Sequence, residues 1–162
     1  MTNYKLSISY DGTDFYGFQI QKDKKTVQGE FQKALDVFTT DYDLNYSGRT
    51  DAGVHAKAQI LSIKTTLKIN DKIVNSMNKI LGDDISINSL KIATNSFHAR
   101  YDATKRTYKY FISDIKQKYP YLNRQSFLYS KELDIKKLDN VSKLFLGVHN
   151  FSSYSKTNTN QN

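Results

Sequence analysis

The chain has 162 residues, with 24 Lys and Arg against 16 Asp and Glu, a formal net charge of +8 and a pI near 9.4. That length supports one compact domain, or a small domain plus part of another, and the charge favours a polyanionic partner, nucleic acid ahead of an anionic membrane surface. Without cysteine there is no disulfide, thiolate metal site or cysteine nucleophile. No apolar run nears the roughly 20 residues that cross a bilayer, and Met1 to Lys5 lacks a signal core, so a soluble, cytoplasmic protein with no membrane partner is expected.

Only 38% of residues are hydrophobic, but 12 Tyr and 9 Phe raise the aromatic share to 13%, so aromatics must build much of the core. Tyr4, Leu6, Ile8 and Tyr10 alternate with Lys5, Ser7 and Ser9, the period of a half-buried strand. The tetrad Asp11-Gly12-Thr13-Asp14 then turns the chain. Thr26 is placed to cap a helix over 26 to 39, with Val27, Phe31, Leu35 and Phe38 on one side. A strand is expected at about 42 to 47, a loop from Gly48 to Ala56, and a third strand at about 58 to 64. Ile69, Ile73, Met77 and Ile80 recur at helical spacing ahead of Gly82, a C-terminal stop. Ile85 and Ile87, then Leu90 and Ile92, predict a fourth strand whose phase slips near Ser89, as at a bulge.

The order β-α-β-β-α-β is that of an α+β, ferredoxin-like antiparallel sheet, predicted as a domain over 1–95. From 96 to 162 a second unit begins. An extended stretch runs from Thr107 to Ser113, an apolar piece covers Phe127-Leu128-Tyr129, and Asp134 starts a helix with Leu138, Val141 and Phe145 inward. The strands needed to bury that helix do not follow, and residues 156–162 are polar, so the simplest expectation is an incomplete chain with an incomplete second half.

Arg49-Thr50-Asp51 puts a guanidinium and a carboxylate two residues apart, where an extended segment projects both the same way. Gly48 and Gly53 flank them and permit close backbone approach to a ligand. On spacing alone, such an arginine and aspartate are usually a surface ion pair. The basic cluster Arg100, Lys105 and Arg106 reads as a solvated face or, beside Tyr108, as phosphate contacts. His55, His98 and His149 lack the paired spacing of metal ligands, so no metal is expected; His55 and His98 are better suited to bonding backbone or phosphate.

Gly48 to Ala56 resembles the signature G-R-T-D-x-G-V-H-A of the tRNA pseudouridine synthase A family. Further blocks resemble the family in the expected order: Tyr10-Asp11-Gly12-Thr13 with Gly17-Phe18-Gln19, Thr26-Val27-Gln28-Gly29, Phe97-His98-Ala99-Arg100 with Ala103 and Arg106-Thr107-Tyr108-Lys109-Tyr110, and Gly147-x-His149-Asn150-Phe151, with Asn where the family often has Asp. The resemblance implies a pseudouridine synthase fold of two ferredoxin-like halves around an RNA cleft, a homodimer, and cofactor-free isomerisation of uridine at positions 38 to 40 in the anticodon stem-loop of tRNA. It also implies that Asp51 is the catalytic carboxylate, that Arg49 displaces the target base and pairs with the aspartate, and that Tyr108 stacks on the uracil. Arg100, Lys105, Arg106 and His55 then become candidate RNA contacts. Complete members of the family continue through the rest of the second domain.

Two other classes compete. A catalytically dead RNA-binding module would not need the Arg49-x-Asp51 pair. A nucleic-acid glycosidase would need a second carboxylate or a water-activating group near Asp51, which Asp11 or Asp14 could supply.

Overall fold

The computed structural model describes residues 1–114 and 119–154. Two compact units divide the chain, Met1–Lys109 and Tyr110–Asn162. The first unit contains β1 (Thr2–Tyr10), α1 (Val27–Asp36), β2 (Tyr42–Tyr46), β3 (Ala56–Thr65), α2 (Asp71–Leu81) and β4 (Ile85–Ile92). The strands form one sheet in the order β2-β3-β1-β4, with every neighbouring pair antiparallel. The fold is thus α+β on an antiparallel sheet, as its alternating patterns predict.

Period-two alternation decides which face of β1 is wet. Tyr4, Leu6, Ile8 and Tyr10 are buried, and their register partners Ile63 and Leu61 on β3 and Ile87 and Ile85 on β4 share that face. Val27, Phe31, Ala34 and Leu35 of α1 and Val74 and Met77 of α2 complete the same core. Thr26 caps α1 by accepting the Gly29 amide at 3.2 Å, and Asn70 caps α2 by accepting those of Lys72 and Ile73 at 3.0 and 3.1 Å. Burying aromatics rather than aliphatics leaves phenols to satisfy. Tyr4 does so by accepting the Ile69 amide and donating to the Leu67 carbonyl.

The slip expected near Ser89 is a bulge at Asn88: Ser7 pairs Ser89 and Ile8 pairs Ile87. Asn78 of α2 bonds both the amide (2.7 Å) and the carbonyl (3.2 Å) of Ile87 beside it. A second irregularity was not legible. Between Ile8↔Gln59 and Tyr10↔Ala56, β3 spends one residue more than β1, just where it leaves the Gly48–Ala56 loop.

Several boundaries and faces differ from expectation. α1 stops at Asp36, since Val37 is exposed and Phe38 and Thr39 fold back onto the Leu35 carbonyl. In α2 the inward row passes through Val74 rather than Ile80, which is 50% exposed while Met77 is 1% exposed; Ile69 is buried but precedes the helix. On β4, Ile92 is exposed at the strand's end. Residues 93–102 cross the sheet face opposite the helices. Asn3 donates to the carbonyls of Thr94 (2.9 Å) and Phe97 (2.8 Å), Ser62 accepts the Ala99 amide, and the Lys5 ammonium lies over the Phe97 ring. Residues 96–109 therefore pack with the first unit.

In the second unit β5 (Ile112–Asp114) pairs in parallel with β6 (Phe127–Tyr129), and α3 (Ile135–Lys143) is capped by Asp134, as its sequence predicts. The extended stretch from Thr107 becomes a ladder only at Ile112, where β6 supplies a partner. Among the described residues none of Leu138, Val141 and Phe145 is buried, because the two three-residue strands described in this unit present too little surface to receive a helix face. Phe145 instead stacks on Phe151. The polar stretch 156–162 lies outside the described residues.

The phase of α2 is testable by truncation. Met77→Ala should lower unfolding free energy by about 2 to 5 kcal/mol and Asn70→Ala by about 1 kcal/mol. Ile80→Ala should stay within about 0.5 kcal/mol of the parent. Urea titration of the three variants decides, and a large loss at Ile80 would put the apolar stripe back where simple spacing placed it.

Candidate active-site loop

Residues 48–55 join β2 to β3, and their backbone is anchored almost residue by residue. The Ser47 amide donates to the Ile60 carbonyl at 2.9 Å. Gln59 donates its side-chain amide to the Gly48 carbonyl. The Thr50 carbonyl accepts the Phe18 amide at 3.0 Å, and its hydroxyl meets the Tyr10 hydroxyl at 2.8 Å. The Gly53 amide donates to the Phe15 carbonyl at 3.2 Å, and a turn closes from Val54 N–H to the Asp51 carbonyl with Gly53 at φ +78. That left-handed conformation is one that glycine adopts without steric cost.

The β1–α1 connection supplies two of these anchors, Phe15 and Phe18. Gly12 is there because the two loops touch: a Cβ at Gly12 would lie 2.1 Å from the Val54 carbonyl oxygen. Gly17, at φ +90, lies against the Thr50 carbonyl. The Tyr10-to-Gln19 block is thus the mould of the loop. Asp11 is turned inward on its own residues, accepting both the amide (2.9 Å) and the hydroxyl (2.6 Å) of Thr13. His55 Nδ1 lies 3.2 Å from the Gly12 amide and 3.1 Å from Asp11 Oδ1, so the ring pins the turn.

Arg49 and Asp51 stand out by contrast. Both are exposed, and among the described residues neither side chain makes a hydrogen bond or ion pair. Arg49 faces a cleft of about 350 Å³ whose other walls are Tyr46, Ser47, Gly48, Arg100, Arg106 and Tyr108. Three guanidiniums and two phenols make this cleft cationic and aromatic, the combination that holds phosphates and stacks bases. Asp51 does not line the cleft but follows Arg49 by two residues on the same loop. Tyr108 is 74% exposed, so its ring face is open. Burial pushes the Tyr10 phenol above its ordinary pKa; the Thr50 hydrogen bond opposes that shift and the nearby Tyr108 phenol adds to it. Tyr10 stays protonated at neutral pH, and its hydroxyl remains a hydrogen-bonding partner for Thr50.

Not every predicted contact faces the cleft as a free group. Arg100 lines it, with its guanidinium over the Tyr101 ring, and Lys105 is exposed outside the lining. Arg106 lines it but donates to the Ser47 carbonyl. His98 accepts the amides of Arg100 and Tyr101, and His149 bonds the Leu146 carbonyl. Sequence reasoning missed Tyr46 and Gln59. Gln59 was readable in principle, as a polar residue on the inward row of β3 with Leu61, Ile63 and Thr65.

Contact between the loops predicts that Gly12→Ala lowers thermal stability by the equivalent of about 1 to 3 kcal/mol and exposes the 48–55 loop to proteolysis. Gly53→Ala, strained by its φ but facing open space, should cost about 1 kcal/mol without freeing the loop. Parental melting and protease resistance in Gly12→Ala would mean that the loops do not touch.

A sequence profile described as tRNA pseudouridine synthase matches residues 6–102. The tRNA pseudouridine synthase A of Borrelia turicatae is 40% identical over 159 residues, covering 96% of this chain and 64% of the relative. Its counterpart in Dictyoglomus thermophilum is 41% identical over 158 residues, 95% and 64% respectively. That of Fervidobacterium nodosum is 41% identical over 160 residues, 96% and 65%. The chain thus spans somewhat less than two thirds of the length of these relatives. By profile and by identity, it belongs to the tRNA pseudouridine synthase family.

Proposed function

We propose that the intact protein isomerises uridine to pseudouridine in tRNA, with Asp51 as the catalytic carboxylate and the anticodon stem-loop, positions 38 to 40, as its target. The observation that carries this reading is the contrast within one loop: an anchored backbone presents an unpartnered carboxylate next to a cationic, aromatic cleft. The relatives' names support the reaction and the RNA class.

The reaction breaks the bond from C1′ to N1, turns the uracil over and joins C5 to C1′, with the C5 proton lost and N1 regaining one. A carboxylate serves such a sequence as nucleophile or as general base. The target base must first leave its stack, at a cost of a few kcal/mol. In this reading Arg49 takes its place and Tyr108 stacks on the displaced base, offsetting part of that cost. Arg100 and Lys105 offer charge to the flanking phosphates. Neither electron transfer nor a metal is needed, and the reading includes no cofactor.

The order β2-β3-β1-β4, with both helices on one face, supports a ferredoxin-like first half carrying the loop. The second unit is read as the beginning of a C-terminal half. The reading includes a homodimer, which the family resemblance implies, acting in the cytoplasm. Against the glycosidase alternative, Asp11 spends its carboxylate on Thr13 and His55 rather than offering a second acid beside Asp51.

Two measurements test this. With tRNA transcripts tritiated at uridine C5, Asp51→Asn should reduce tritium release by on the order of 10³-fold or more while tRNA affinity changes little. Release near the parental rate by a folded variant would remove Asp51 from catalysis. In the parent, log affinity should fall linearly with log salt, by about 0.7 to 0.9 per phosphate contact, and a flat response would count against RNA.

A further inference from the structure

Arg106 has the charge of a phosphate ligand, but its guanidinium is directed at protein. Nε and Nη2 both donate to the Ser47 carbonyl, at 3.0 and 2.5 Å, and Nη2 reaches the Arg100 carbonyl at 3.4 Å. Its stem passes over Gly48, where a Cβ would lie 3.3 Å from Nε and 3.7 Å from Cδ. A planar fork meeting two carbonyls is a geometry that arginine makes and lysine, a point charge on a flexible stem, does not. The two ends of the contact matter: Arg106 lies two residues before Tyr108, and Ser47 two residues before Arg49 and four before Asp51. One side chain therefore joins the two walls of the cleft.

We propose that Arg106 is a positioning residue, which sets the separation between Tyr108 and the Arg49–Asp51 loop and is not a phosphate ligand. The proposal rests on the isomerase reading for its kinetic consequence, but the strap itself can be judged without it. Without the strap, the Ser47–Gly48 end of the loop keeps its bonds to Ile60 and Gln59 yet loses its tie to the opposite wall. Base and carboxylate would then meet in a wider range of geometries. Misplacement by about 1 Å costs on the order of 10²-fold in rate.

The test uses the intact protein, tRNA transcripts tritiated at uridine C5, and Arg106→Lys, Arg106→Gln and Arg100→Gln. Arg106→Lys should keep tRNA affinity and its salt slope but lose about 10- to 100-fold in kcat. Hydrogen exchange of the Ser47 and Gly53 amides, which are hydrogen-bonded to Ile60 and Phe15, should accelerate about 10-fold. Arg106→Gln should leave the salt slope unchanged, while Arg100→Gln lowers it by about 0.7 to 0.9. Full rescue by lysine, or a salt slope reduced by one contact in Arg106→Gln, would make Arg106 a phosphate ligand and overturn the proposal. A lower melting temperature with parental kcat per folded molecule would overturn it too, as the sign of a merely structural role. If the parent itself releases no tritium, the isomerase reading fails, and parental exchange protection in Arg106→Lys still decides against the strap. Should Arg106→Lys not fold, Gly48→Ala, which crowds Nε while leaving Arg106 in place, is expected to show the same faster exchange and reduced kcat; parental values would count against the proposal.

Discussion

Thr50 is held from two directions by one stretch of chain. Its hydroxyl meets the Tyr10 hydroxyl at the end of β1, and its carbonyl accepts the Phe18 amide from the connection that follows. These bonds work because Tyr10 is itself fixed: it is buried on the inward row of the central strand, pairs with Ala56 on one side and Ile85 on the other, and packs near Phe18. The core therefore reaches the loop through three aromatic residues, by the Tyr10 hydroxyl and by the backbones of Phe15 and Phe18. Neighbouring anchors at Gly48 and Gly53 extend the constraint, so the side chains of Arg49 and Asp51 project from a fixed backbone. Preorganisation of this kind lowers the cost of reaching a reactive geometry, because the loop need not be ordered when substrate arrives.

The glycines follow from the same constraint. Gly12 and Gly17 allow two loops to lie backbone to backbone, and Gly48 allows Arg106 to pass. Each is a packing requirement that no periodicity rule would reveal, because what excludes the side chain is distant in sequence. That is also why the Tyr10-to-Gln19 block reads, taken alone, as an ordinary turn followed by a loop.

Much of the first unit was legible, since its patterns are local. Alternation on β1, the Thr26 cap, the Gly82 stop and the slip near Ser89 all depend on residues within a few positions of each other, and each corresponds to an observed element. The errors have a common cause. Ile80 fits a helical spacing as well as Val74 does, and only the sheet beneath decides which is covered. Leu138, Val141 and Phe145 share a helical phase but are not buried among the described residues, because burial needs a partner surface and phase supplies none. In the proposed site, Arg49, Asp51 and Tyr108 are assigned through a motif, whereas the Gln59 bond and the Arg106 contact join residues 11 and 59 apart in sequence.

If the anchored backbone exists to deliver a carboxylate to one place, then charge alone at residue 51 should not suffice. The direct measurement is the single-turnover rate of uridine isomerisation by the intact protein carrying Asp51→Glu, which keeps the carboxylate and moves it outward by one methylene. The account predicts a folded, tRNA-binding variant slowed by about 10²-fold or more. A rate equal to the parent's would contradict it, because the position that the loop, Tyr10 and Thr50 hold so firmly would then be irrelevant to the chemistry.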